Sequence, residues 1–248
     1  MARFKTKMRH LAPAWADKLW DAAQSRNRGA GAEWLLPLAA LAVTGVRPAS
    51  LERGITFDLV HDRSGAEYIR ARSFGAKILK DFDGTTIRGQ DEVQVCWRIC
   101  PPADTPHRPQ ELSAILHALQ RNEQKRITVT YDAEGISTRI RELSKEIWPR
   151  KQYQVSAICY RELLSRCCKD AGMSASDIAK VMGHLSTESQ GRYSSGTRRS
   201  SLPPGQRARL FSHIAASNAV RTHRSPMQRF KNAAANIKRK KLALSTPC

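Results

Sequence analysis

The chain has 248 residues, 41% of them apolar, and 42 Lys and Arg stand against 22 Asp and Glu for a net charge of +20. That apolar share builds a core and excludes a wholly disordered chain, while the charge surplus points to a polyanion, most often nucleic acid. The longest apolar run, WLLPLAALAV (34–43), contains Pro37 and is too short to cross a bilayer, and no apolar stretch follows the N-terminal MARFKTKMRH, so a buried helix, no signal peptide and a cytoplasmic protein are expected.

Residues 11–25 and 31–44 carry apolar side chains at three- and four-residue spacing and predict helices. Three alternating runs follow, ITFDLV (55–60), EYIRARS (67–73) and EVQVCWRI (92–99), separated by turn-like HDRSGA and KDFDGTTIRGQD. They predict a small antiparallel sheet. CPPADTPHRP (100–109) reads as a loop into a helix over about 109–122, with another helix near 135–148. VSAICYRELLSRCCKDAG (155–172) reads as a helix stopped by Gly172. Ser174 caps the next helix, with Asp177 as its capping-box partner. Trp97, Trp148 and Met182 read as core.

Pro203, Pro204 and Gly205 separate this body from a tail expected to form helices near 207–217 and 227–241. Residues 201–248 hold ten Lys or Arg and no acid, which reads as a phosphate-binding arm rather than a salt-bridged helix face. The six cysteines, Cys96, Cys100, Cys159, Cys167, Cys168 and Cys248, repeat no zinc-ligand spacing and read as reduced structural thiols. The class is mainly α with a small antiparallel sheet, α+β. The organisation is a basic, helical N-terminal extension (1–29), a body (30–200) and a basic, partly helical tail (201–248).

The residues able to carry chemistry are Arg47 in VTGVRPASLERG, Lys77 in SFGAKILK, Arg161, His184 in KVMGHL and Tyr193. A phosphodiester is a poor electrophile because its anionic oxygens repel nucleophiles. Two guanidiniums clamp both non-bridging oxygens and stabilise the charge of the transition state. A tyrosine hydroxyl held in line attacks and forms a covalent phosphotyrosine, and a lysine protonates the departing sugar oxygen. With arginines doing the electrostatic work, the chemistry needs no metal and no other cofactor. Taken singly, each residue has an ordinary reading: Tyr193 as a packing aromatic, His184 as a turn residue, the arginines as surface or ion-pair groups.

Together, their spacing resembles the catalytic domain of the tyrosine recombinase, or phage integrase, family. Thr44–Gly45–Val46–Arg47 matches its first arginine motif. Arg161 lies 23 residues before His184, Gly172 eleven after Arg161, and Tyr193 nine after His184. Lys77 matches the family's hairpin lysine, with Lys80 close by as the alternative. The resemblance spans roughly residues 30–196. It implies that Tyr193 attacks DNA to leave a 3′-phosphotyrosine and a free 5′-hydroxyl, with Arg47, Arg161 and His184 holding the phosphate and Lys77 as general acid. It also implies double-stranded DNA and other protomers, as a tetramer or with a sister recombinase, as partners, and a nucleoid-associated location. The chain departs from the family at Ile158, where a histidine or other polar residue is usual, and at Ser50, at the usual carboxylate position, for which Glu52 is a candidate replacement. Tyr160 is a candidate stand-in for the missing polar group. A non-catalytic or partner-dependent DNA-binding protein on the same fold is the alternative reading.

Overall fold

A computed structural model describes residue 11 and residues 14–26, 32–75, 77–99, 109–188 and 211–222. Tyr193, the helix expected at 227–241 and most of the tail lie outside the described residues. In chain order the elements are α1 (Trp15–Arg26), a 3-10 turn (Ala32–Trp34), α2 (Leu35–Thr44), α3 (Pro48–Glu52), β1 (Ile55–His61), β2 (Glu67–Phe74), β3 (Leu79–Lys80), β4 (Thr86–Arg88), β5 (Glu92–Arg98), α4 (Gln110–Arg121), β6 (Arg126–Val129), α5 (Ala133–Ile147), α6 (Ala157–Asp170), α7 (Ala175–Val181) and β7 (His213–Ala216). The fold is α+β, with an antiparallel main sheet in the order β6-β1-β2-β5-β7 and a small β3-β4 ribbon.

The central helix is α2. It is apolar all round and buried from Pro37 to Thr44, as an interior helix must be. It packs against α4 and α6. In α1, Trp15, Leu19, Trp20 and Ala23 repeat at helical spacing and are buried. Trp15 meets Tyr160 of α6 edge-to-face, ring centroids 4.9 Å apart. The helix expected within the N-terminal extension thus adds its buried face to the core.

Alternation decides which face of the sheet the helices cover. Ile55, Phe57, Ile69, Ala71, Val93, Val95, Trp97 and Val129 are buried, and Trp97 packs on Phe211 with ring centroids 5.2 Å apart. On the opposite face, Asp58 pairs in register with Arg70 on β2 and Arg126 on β6. Arg70 makes a two-pronged contact with it, Nε to Oδ1 at 2.9 Å and Nη2 to Oδ2 at 2.8 Å, and Arg72 and Arg126 approach to 3.6 and 3.4 Å. Burial alone would raise the Asp58 carboxyl, but the hydrogen bond from Arg70 and the charges of Arg70, Arg72 and Arg126 outweigh it and hold the group below the usual carboxylate range.

The helix expected over 207–217 is replaced, at 213–216, by strand β7 on the open edge of β5. Ser212 and Ser217 fasten its two ends. The Ser212 N–H donates to the Cys96 carbonyl at 2.7 Å, and the Glu92 N–H donates to Ser217 Oγ at 2.9 Å. The unpaired backbone of β5 offers these residues a full ladder of partners, which outweighs the helical preference of an Ala-containing segment. β6 was not expected from the sequence either. It is a four-residue edge strand that pairs with β1 through Ile55–Asp58.

Candidate active site

The Thr44–Arg47 motif is a helix end. Gly45 closes α2 in the left-handed region at φ +59°, and a Cβ there would lie 2.6 Å from Leu164 Cδ2 of α6. Both the backbone conformation and the close approach require glycine. The chain then extends through Arg47, the N-cap of α3, with Pro48 at the first helical position. Arg47 is half-buried.

The glycine–histidine turn is also a helix end. After α7, Gly183 adopts φ +62°. Its N–H donates to the Lys180 carbonyl at 2.9 Å, and the His184 N–H donates to the Ala179 carbonyl at 2.8 Å. This pair of bonds is a Schellman motif, which turns the chain sharply and sets where the imidazole starts. At the helix's other end, Ser174 accepts from the Asp177 N–H at 3.0 Å, and its hydroxyl donates to the Asp177 carboxylate at 2.8 Å, so the expected cap is present.

Arg161 joins these two turns. It is 4% exposed, on the second turn of α6. Nη1 donates to the Gly45 carbonyl at 3.0 Å; Nη2 donates to the Met182 carbonyl and lies 3.2 Å from His184 Nε2. A guanidinium has only donors, so Nε2 is the acceptor and the ring's proton sits on Nδ1. Arg161, His184 and the backbone two residues before Arg47 are thus brought together.

No protein-family model matches the chain, and no curated protein matches it. The fold is similar to the crystal structure of XerA recombinase, with a TM-score of 0.44 and 17% sequence identity over 76% of this chain and 61% of that one. The chain therefore spans about three fifths of the length of that protein.

The hairpin region reaches the same corner through backbone. The Lys77 carbonyl packs so closely on Gly89 that a Cβ there would lie 2.4 Å from it. The next residue, Gln90, donates its N–H to the Gly183 carbonyl at 3.2 Å. Arg53 Nη1 fixes the start of the excursion by donating to the Gly75 carbonyl at 2.7 Å. Lys77 is exposed. Lys80, its alternative, is 3.3 Å from Asp91 Oδ1. Hydrogen bonds from Asn218 and Thr86, with a further contribution from Lys80, hold the Asp91 carboxyl below the usual range.

The structure also places three other residues named from the sequence. Tyr160 does not replace the polar group missing at position 158: it is 1% exposed and packed on Trp15, whereas Ile158 is half-buried in the first turn of α6. Glu52 lies at the start of α5, where Oε1 accepts from the Ala133 N–H at 3.3 Å, and Ser50 is buried in α3. Arg221, counted among the tail cations, donates to the Ile87 carbonyl at 3.1 Å and so fastens the chain after β7 to the β3-β4 ribbon.

Sequence reasoning missed Gln90 and Asn218. Both fall in turn-like stretches with no hydrophobic period, so no local signal marks them.

Proposed function

We propose that this protein is a DNA strand-transfer enzyme that cleaves and rejoins duplex DNA through a phosphotyrosine. The observation that supports this most is the buried Arg161 guanidinium. It spans the Gly45 turn and the Gly183–His184 turn, through carbonyls 116 and 21 residues from it in sequence, with His184 Nε2 in contact. A cation fixed this way is preorganised for a phosphate and needs no reorganisation as charge develops.

In this reading Arg47 and Arg161 clamp the non-bridging oxygens, and His184 donates from Nδ1. Tyr193, nine residues beyond His184, attacks phosphorus, breaking the bond to the 5′ oxygen and leaving a 3′-phosphotyrosine. Lys77 supplies the proton to the departing oxygen. The energy of the broken ester is kept in the new one, so rejoining needs no nucleotide cofactor. The tail of Lys and Arg adds sequence-independent affinity, and protomers assemble as a tetramer on two duplexes.

Ile158 favours a second reading, a DNA-binding protein that does not cleave alone, because an alkyl group half-buried near the site neither accepts nor gives a proton. Incubation with a nicked suicide duplex separates the two. The first reading expects an adduct that survives SDS and disappears in Tyr193→Phe with DNA affinity nearly intact. An adduct of equal yield in Tyr193→Phe overturns Tyr193 as the nucleophile, and absence of any adduct, alone or with a sister recombinase, favours the second reading.

A further inference from the structure

Gln90 sits at the junction of the ribbon, β5, the His184 turn and the segment after β7, and it is 0% exposed. Its amide is engaged at both ends. Nε2 donates to the His184 carbonyl at 3.2 Å and to the Asn218 carbonyl at 2.9 Å, while Oε1 accepts from the Asn218 N–H at 2.8 Å. Its backbone N–H holds Gly183, the residue before His184. Asn218 in turn donates from Nδ2 to Asp91 Oδ2 at 3.0 Å. A buried amide left without these partners would be costly, so the three segments are held as one unit.

We infer that Gln90 is a positioning residue for His184, and that it ties the placement of this histidine to the docking of the C-terminal strand. The physical reason is reach. The contact between His184 Nε2 and Arg161 Nη2 is 3.2 Å. A shift of the turn by an ångström would break it, and misplacement on that scale costs up to about a hundredfold in rate. The Schellman bonds fix the turn relative to α7. Gln90 fixes it relative to the sheet and ribbon, and hence relative to Lys77. For its effect on catalysis this inference rests on the strand-transfer reading, but it is tested on the histidine itself.

The experiment is nitrogen-15 NMR of histidine-labelled full-length protein, which reports which ring nitrogen carries the proton, together with single-turnover cleavage of a nicked duplex. In the wild type His184 should be the Nδ1-protonated form. Gln90→Glu is close in shape and keeps the acceptor for the Asn218 N–H but removes both donors; Gln90→Ala removes all three bonds. Both variants should move the His184 signals toward the averaged values of a solvent imidazole, and cleavage should fall roughly ten- to a hundredfold at unchanged DNA affinity. Asn218→Ala keeps the backbone bonds to Gln90 and should retain the wild-type signature. If Gln90→Ala does not fold, Gln90→Glu decides. A folded Gln90→Glu with wild-type His184 signals overturns the inference. Shifted signals in a protein that never cleaves DNA support it and count instead against the strand-transfer reading.

Discussion

Arg161 Nη1 and the carbonyl of Gly45 are 3.0 Å apart, although 116 residues separate them. That bond ties the end of α2 to α6, and Arg47 follows two residues later. Fold and proposed chemistry therefore meet in one side chain. Arg161→Ala should lower stability by at least about 2 kcal/mol, because buried carbonyls are left without their donor. It should also cut cleavage by about a hundredfold or more. Arg161→Lys should restore little of either, since a point charge cannot reach Gly45, Met182 and His184 at once. Chemical denaturation and covalent trapping measure the two effects; full activity in the Lys variant would rule out the clamp.

The two hairpin lysines differ in their surroundings. Both are exposed, but Lys80 lies 3.3 Å from Asp91 Oδ1, whereas Lys77 stands on the turn before β3. With a 5′-bridging phosphorothiolate, whose sulfur departs without protonation, Lys77→Ala should regain cleavage and Arg161→Ala should not. Lys80→Ala should show little defect on the normal substrate. Sulfur rescue of Lys80→Ala alone would assign the general acid to Lys80.

The carboxyl of Asp58 is held below its ordinary value of 3.8. The group therefore adds stability that is fully present above about pH 4 and disappears as pH falls through its lowered folded-state value. Asp58→Asn should cost about 2 kcal/mol at neutral pH, the scale of hydrogen bonds to a charged group. The difference from wild type should narrow as the pH drops below about 4. Thermal melts of both proteins between pH 2 and 8 (roughly the window over which a lowered carboxylate titrates) test this, and a constant difference would contradict it.

The place of truncation matters. Removing residues 223–248 deletes seven Lys and Arg and leaves β7 in place. DNA binding should weaken and its log–log salt slope should flatten, by about 0.9 for each phosphate that the shortened chain no longer neutralises, with the fold intact. Removing residues from 205 onward also strips β7 and the Asn218 partner of Gln90, and should lower the melting temperature as well. Equal salt slopes for the full chain and the 223–248 deletion would show that the tail does not touch DNA.

Ile158 precedes Arg161 by three residues, on the same side of α6. A tyrosine hydroxyl with an ordinary pKa of about 10 is mostly protonated at neutral pH. Cleavage should therefore be slow and rise toward alkaline pH, and Ile158→His should speed it by about 10² at neutral pH, the lower end of general-base effects. A fast, pH-independent wild type would mean that a group other than Tyr160, which is fixed in the core, accepts the proton.

The order of helices and the three long strands were legible in the sequence because each depends on a local period: 15–26 and 35–44 on helical spacing, 55–61, 67–74 and 92–98 on alternation. The cap at Ser174 was readable for the same reason, since it depends on a few adjacent residues. The spacing of Arg161 and His184 named the pair, but their contact required α6 and α7 to pack against the end of α2. Residues 213–216 became a strand because β5 had an open edge, and Tyr160 became core because α1 brought Trp15 to it. The burial of Gln90 depended on three chain segments converging on one amide. Local conformational preferences act over a few residues and can be read in order along a chain, whereas the partners of a buried polar group or an edge strand come from distant segments and exist only once the chain has packed.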